Sequence, residues 1–194
     1  MKIYFTIFAN LFKDKDIQKI EFSSTNNFSF NINRKFKFKN FKVESTINLN
    51  QLTFNGKNLK IKPYFPNFVE EIRLTDHKIV INYDKKKFDI KGNGNFSFGD
   101  ISDELSYQIV KNNGNFLFDS KINIKNNSLL IDFLDYKKKE GLSSLISVKG
   151  TFKKNNRLTI DFINFNEENN EISIKGLDLS KNFKILAITN FKIN

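Results

Sequence analysis

The chain is most informative in what it lacks: it has no cysteine, no tryptophan, one histidine and two prolines in 194 residues. Without cysteine it can form neither a disulfide framework nor a thiolate metal site. No serine lies in a Gly-x-Ser-x-Gly elbow, and no glycine-rich loop leads into a helix, so neither a serine hydrolase nor a nucleotide site is indicated. We therefore predict a protein that is not an enzyme and that needs no cofactor or metal.

Arginine is also scarce, although the net charge is +11. Only Arg34, Arg73 and Arg157 are present, and lysine supplies the remaining positive charge. Readers of nucleic acid commonly use the planar arginine fork. Lysines spread along the whole chain are more typical of solvated strand faces, so we expect no nucleic acid partner. A basic nucleic-acid-binding β protein is kept as an alternative.

No apolar run approaches the ~20 residues that a membrane-spanning helix needs. The first residues, MKIYFTIFANLF, are apolar, but Asn10 interrupts them and no small-residue cleavage site follows. This pattern predicts neither a membrane anchor nor a signal peptide. If the protein acts outside the cytoplasm, we expect the chain to be a segment of something longer.

Alternation of apolar and polar residues recurs from end to end. In residues 27–32, NFSFNI, three apolar side chains share one face and three polar ones share the other, as in a half-buried strand. Similar stretches occur at 2–8, 78–83, 87–91, 95–98, 121–125, 158–162 and 171–175. The pattern predicts an all-β domain over residues 1–194, built as a long antiparallel meander.

Turn and helix signals refine this prediction. Positive φ suits Asn and Gly, so we expect turns at the following sites: Asn55-Gly56, Gly92-Asn93-Gly94, Asn113-Gly114, Asn126-Asn127 and Asn155-Asn156. Helix signals are weak. Residues 63–72 favour a short helix with Pro66 near its first turn, and residues 100–107 favour a single helical turn.

The stretch RKFKFKNFK at 34–42 alternates lysine with phenylalanine and then changes phase. A bulge near Asn40 would return Phe36, Phe38, Phe41 and Val43 to one face. Further phase changes occur between Phe162 and Ile163 and at Lys175-Gly176. Repeated changes of this kind predict a strongly twisted or curved sheet, with lysines on its solvated face.

Histidine and acidic residues offer weak candidates for chemistry. His77 follows Asp76 at the start of a strand, where a turn residue is the natural interpretation. Acidic residues cluster at Asp100, Asp103 and Glu104, and at Glu167, Glu168 and Glu171. Neither cluster has the spacing of a calcium loop, so we interpret both as solvated turns.

The apolar face of the meander must be covered by something. A second sheet would cover it in a structural or adhesive β-sandwich without a ligand. Alternatively, the face stays partly open as a groove for the acyl chain of a lipid. Strand parity selects these candidate groove residues: Phe96, Phe98, Phe116, Phe118, Ile122, Ile124, Phe133, Ile160, Phe162, Ile172 and Ile174.

The second part of the chain resembles a known family. The relevant stretches are INYDKKKFDIKGNGNFSF at 81–98, LLIDFLDYKKKEGLSSLISVKGTF at 129–152 and NNEISIKGLDLSKNFKILAITNFKIN at 169–194. In the second, a strand ending at Leu134-Asp135-Tyr136-Lys137 precedes a turn at Gly141 and a strand closing on Lys149-Gly150. In alternation and glycine placement, residues 75–194 resemble the AsmA-like superfamily, which includes YhdP and TamB.

The resemblance implies a long curved β-sheet with an apolar channel. It also implies a periplasmic protein that is anchored in the inner membrane, extends toward the outer membrane and helps to move phospholipid there. The chain departs from the family in lacking the N-terminal anchor and in being much shorter. We therefore expect a central or C-terminal segment that binds acyl chains, with both membranes reached through the full-length protein.

Overall fold

The alternating residues form strands throughout the described part of the chain. The computed structural model describes residues 16–57, 59, 61–84, 87–138, 141–153, 157–180 and 184–193, with Phe133 described only in its backbone. The strands are β1 (Ile17–Ile32), β2 (Phe38–Asn55), β3 (Glu71–Tyr83), β4 (Phe88–Phe98), β5 (Ile101–Asn112), β6 (Asn115–Ile124), β7 (Leu130–Ile131), β8 (Tyr136–Lys137), β9 (Ser144–Phe152), β10 (Leu158–Glu167), β11 (Asn170–Leu179), β12 (Ile185–Ala187) and β13 (Asn190–Ile193). A 3-10 turn, Asp132–Leu134, separates β7 from β8.

Eleven of these strands form a single antiparallel sheet in the order β1-β2-β3-β4-β5-β6-β9-β10-β11-β12, with β13 also paired to β11. The two short strands β7 and β8 pair only with each other. The predicted all-β meander is therefore confirmed. Within the described residues the architecture is one large sheet, so the two facing sheets of the sandwich alternative are not the arrangement found.

The sheet has one apolar and one polar face, because residues paired across neighbouring strands point to the same side. One row on the apolar face contains Leu105, Ile122, Ile146, Phe165 and Ile172. The neighbouring row on the polar face contains Ser106, Lys121, Ser147, Asn164 and Ser173. The predicted separation of an apolar face from a polar face is thus found across five neighbouring strands of the sheet.

Two loops cover one half of the apolar face. The first covering loop, residues 56–70, joins β2 to β3, and the second covering loop, residues 125–143, joins β6 to β9. The amide of Leu130 donates to the carbonyl oxygen of Tyr64 at 2.9 Å, and Asn67 Nδ2 donates to Ser128 Oγ at 3.2 Å. These bonds hold the two loops together over the sheet.

Beneath the loops lie two hydrophobic clusters. The first contains Phe54, Phe68, Ile72, Phe96 and Phe98, and the second contains Ile124, Leu129 and Phe165. Phe65, from the first covering loop, packs against both clusters. The core therefore lies between the sheet and the loops, where a sandwich would place a second sheet.

Extra residues interrupt the regular pairing of the sheet at defined places. Asn50 of β2 and Asp76 of β3 lie opposite each other, between the pairs Leu49–His77 and Gln51–Thr75. At this place β2 changes register with β1, and β3 changes register with β4. Asp76 has φ 55°. Such bulges increase the local twist and bend of a strand. Asn50 and Asp76 therefore let the apolar side chains before and after them share one face.

The three predicted phase changes differ in how well they agree with the structure. Asn40 has φ 51° and lies at a register change between β1 and β2, as expected, although Phe36 belongs to the turn before β2. Gly176 has φ 63°, in agreement with the change at 175–176. The change expected after Phe162 occurs earlier, between Ile160 and Phe162.

Several local predictions were wrong. Residues 63–72 form turns and the start of β3, and residues 101–107 belong to β5, so neither is a helix. Gly92-Asn93-Gly94 is the interior of β4, which joins the two short strands expected on either side. Of residues 134–137, only the last two form a strand, the short β8, which lies in a covering loop and ends at Lys137. The expected strand at 2–8 and the turn at Asn155-Asn156 lie outside the described residues.

Candidate functional site

The half of the apolar face away from the covering loops is the candidate site. There a row crosses eight strands, and we call it the open row: Val43, Tyr83, Phe88, Lys111, Phe116, Phe152, Leu158 and Leu179. All eight are partly exposed, and seven of them are aromatic or aliphatic. With neighbouring strands about 4.8 Å apart, the open row is about 34 Å long.

Lys111 is the single charged member of the open row. Its Nζ lies 5.6 Å from the centre of the Phe116 ring, within range of a cation–π contact. A lysine in this place keeps its ammonium at the edge of the apolar surface while its methylene stem adds to that surface. The open row therefore combines a long apolar floor with one cation.

Beside the open row, aromatic rings lie over glycines of neighbouring strands. A Cβ at Gly150 would approach the Phe118 ring at 2.8 Å, and a Cβ at Gly92 would overlap the Tyr107 ring. Rings over strand glycines cover backbone that has no side chain of its own. These two rings therefore pack directly against the strand backbone at the glycines.

The structure separates the candidate groove residues into several groups. Phe96, Phe98, Ile124 and Ile160 are buried, with relative exposures of 8%, 5%, 0% and 9%. Phe116 and Phe118 lie in the uncovered half. The remaining described members are partly exposed: Ile122, Phe162, Ile172 and Ile174.

Of these partly exposed residues, Ile122 and Ile172 pack against the second core cluster. Ile174 pairs with Ile163 and Phe191 near the sheet edge. The side chain of Phe133 lies outside the described part of the structure. Of the candidates whose side chains are described, only Phe116, which belongs to the open row, and Phe118, in the next row, are partly exposed in this part of the apolar face.

Phe162 is set apart from the other candidates by the bulge. It pairs with Lys149 on one side and Lys175 on the other, in a row of the polar face. Its neighbour Ile163 pairs instead with Val148 and Ile174 on the apolar face. Strict alternation from Ile160 predicted that Phe162 lies in the groove. The prediction failed because the sequence does not reveal which residue forms the bulge between Ile160 and Phe162.

Asp103 is not in a solvated turn, in contrast to the prediction. It lies in β5 with a relative exposure of 4%. Its Oδ1 accepts from the amides of Lys125 and Asn126, both at 2.8 Å, and its Oδ2 accepts from the amide and Nδ2 of Asn127 at 2.9 Å. Charge-assisted bonds of this kind fix the start of the second covering loop.

Glu167 was also expected in a solvated turn, but it is buried with 2% exposure. The hydroxyl of Ser144, itself fully buried, donates to Glu167 Oε2. Burial, and then the neighbouring Glu167 carboxylate, raise the pKa of Tyr136. Ser144 in β9 and Glu167 in β10 are buried, and the partly exposed Tyr136 of the second covering loop brings its buried hydroxyl to them. This arrangement supports the loop.

His77 lies inside β3 and not in a turn, with a relative exposure of 1%. Its Nε2 bonds to the carbonyl oxygen of Asn95 at 2.9 Å, and its ring lies over Gly94. Burial lowers the pKa of His77, an effect only partly opposed by the bond to Asn95 and by the charge of Asp76. A buried, neutral ring that fills the space above a glycine is a structural residue.

Among the described residues, no group of three His, Asp or Glu side chains is arranged to hold a metal ion. Nor does any helix in the described ranges have the length and hydropathy to span a bilayer. A depression of about 750 Å³ on the polar face is lined by uncharged polar residues such as Asn93 and Asn95 and by the charged residues Asp76, Glu104 and Lys121. The open row therefore stays the best candidate.

Comparison of the chain with protein-family models, with curated proteins and with solved structures gives no match. The resemblance to the AsmA-like superfamily therefore stays a prediction.

Proposed function

We propose that the chain is a non-enzymatic lipid-binding segment, and that acyl chains lie along the open row. The observation that supports this most directly is the combination of a partly exposed apolar row with a covered half beside it. The covered half supplies the buried core that the fold needs. The open row can then stay exposed for a ligand, since its side chains contribute less to that core.

The dimensions of the open row suit an acyl chain. The hydrocarbon core of a bilayer is about 30 Å thick, so one acyl chain extends about 15 Å and would cross three or four strands. Burial of each methylene contributes about 0.8 kcal/mol. A chain that is only half covered would still gain several kcal/mol, without any specific polar contact.

Lys111 gives the site a preferred charge. An ammonium beside an apolar row attracts a phosphate or carboxylate headgroup while the tail lies on Phe116 and its neighbours. We therefore propose a phospholipid as the ligand. We further propose, on the family resemblance alone, that the segment acts in phospholipid transport through the bacterial periplasm, within a longer protein that reaches both membranes.

The test is to purify the chain from bacteria and to identify bound lipid by native mass spectrometry. Phe116→Asp places a charge in the open row and should reduce co-purified phospholipid at least tenfold. Leu117→Asp is the matched control, because Leu117 is the next residue, is 38% exposed and belongs to the polar face. Lipid-free protein, or equal loss in both variants, would count against the proposal.

A ligand-free structural role is an alternative to lipid binding. It predicts that well-folded protein carries no lipid and that Phe116→Asp changes only stability and solubility. Circular dichroism and the urea midpoint of both variants, measured beside the mass spectra, separate loss of binding from loss of folding.

A further inference from the structure

The hairpin between β1 and β2 projects beyond the rest of the sheet. β2 pairs with β3 only from Val43 onward, whereas its first residues, Phe38 to Lys42, pair with β1 alone. Residues 29–42 therefore form a two-stranded projection, which we call the basic finger. Within the described residues no covering loop reaches it, and its large apolar side chains are exposed.

One face of the basic finger is aromatic. Phe30 and Phe38 meet edge to face with ring centres 4.9 Å apart, and Phe28, at its base, stacks on Phe41 at 6.2 Å. Phe36, in the turn, is 86% exposed. A group of exposed rings on one side of a projecting ribbon usually marks a binding surface.

The turn that carries Phe36 is well defined. Asn33 Oδ1 accepts from the amides of Lys35 at 3.0 Å and Lys37 at 2.9 Å. The amide of Phe36 donates to the carbonyl oxygen of Asn33 at 2.9 Å. Side chains at the tip are thus held on a fixed backbone, which lowers the entropy lost on docking.

The basic finger has charge of only one sign. It contains Arg34, Lys35, Lys37, Lys39 and Lys42, and no acidic residue occurs between Glu21 and Glu44. Within the described part of the chain, none of the five forms an ion pair. Their charge is therefore available to an anionic partner.

Rings and cations lie on different sides of the ribbon. Lys39 pairs with Asn31 and Lys42 with Ser29 on the polar face, whereas Phe28, Phe30 and Phe38 line the other face. Single-stranded nucleic acid needs rings and cations on the same side, because bases stack where the backbone is bound. An element with an apolar face and a lysine-rich face suits the plane of a membrane interface.

We propose that the basic finger docks the protein on an anionic lipid bilayer. The phenylalanines enter the boundary between headgroups and acyl chains, and the five basic side chains contact lipid phosphates at the surface. This inference goes beyond the binding of an acyl chain in the open row and does not depend on that binding. It involves different residues, and the partner is a bilayer surface and not a single lipid molecule.

Flotation of the full chain with vesicles tests the proposal. We expect binding to vesicles of phosphatidylcholine with 30% phosphatidylglycerol, little binding to pure phosphatidylcholine, and release at high salt. Each basic residue near such a surface contributes about fivefold in affinity, so Lys35→Gln with Lys37→Gln should weaken binding about 25-fold. Lys57→Gln with Lys62→Gln, two exposed lysines of the first covering loop, is the matched control and should have little effect.

The apolar contribution is tested with Phe36→Asn. Asparagine tolerates the φ of 55° at this position, so the turn should persist while vesicle binding falls. Equal binding to neutral vesicles, no response to the finger variants, or tighter binding to single-stranded DNA than to anionic vesicles would overturn the proposal. Phe116→Asp should leave vesicle binding unchanged, which separates this proposal from lipid binding in the open row.

Discussion

His77 illustrates how single residues fix the apolar face. Its ring fills the space above Gly94, and its folded-state pKa lies below the ordinary value of 6.5 because of burial. As the pH falls below 6.5, the unfolded chain takes up a proton that the folded chain resists, so stability should decrease by up to about 1.4 kcal/mol per pH unit. The stability that neutral His77 contributes is therefore present above pH 6.5 and lost as the pH falls.

We expect His77→Phe to remove this pH dependence while keeping a ring over Gly94. Urea denaturation at pH 7.5, 6.5, 5.5 and 5.0 measures it. The wild-type midpoint should fall over this range more steeply than that of the variant. Parallel pH profiles would mean that carboxylates, and not His77, cause the decrease.

At the scale of elements, the covering loops take the place of a second sheet. Phe68 is buried in the first core cluster at 8% exposure and meets Phe98 with ring centres 5.1 Å apart. Phe68→Ala should cost about 3–5 kcal/mol, as for other large core truncations. The neighbouring Val69 is 45% exposed, and Val69→Ala should stay within about 0.5 kcal/mol. Free energies of unfolding from urea titrations check both values, and similar costs for the two would show that the loop does not cover the core.

The elements also show which features the sequence predicts. Alternation is local, so it predicted the strands and placed Phe116 and Phe118 on the apolar face. The bulge at Asn40 was also predictable, because lysine and phenylalanine change phase there. The burial of Asp103 could not be predicted, because it depends on the backbone of Lys125 to Asn127, in a loop more than twenty residues further along the chain. The covering loops carry no periodic pattern, so the cover over Phe96 and Phe98 could not be predicted either.

At the scale of the whole molecule, stability should be uneven across the sheet. The central strands carry both core clusters beneath the loops, whereas β1, β12 and β13 are exposed along their whole length. Local opening costs least where few apolar contacts are lost. We expect amide hydrogen exchange to be slowest around Phe96 and Ile124 and fastest in β1 and β13. Uniform protection from β1 to β13 would contradict this expectation.

The paired extra residues of the sheet have a consequence for how such a gene can change. Asn50 faces Asp76, and Asp161 faces Gly176, each between pairs that stay in register. A substitution at Asp76 alters one side chain. Deletion of its codon would instead reverse the facing of the residues that follow it in β3, and Ile79 and Ile81 would then lie on the polar face. Length changes at these places are therefore tolerated only when both partners are gained or lost together, so insertions and deletions in related genes should occur there as matched pairs.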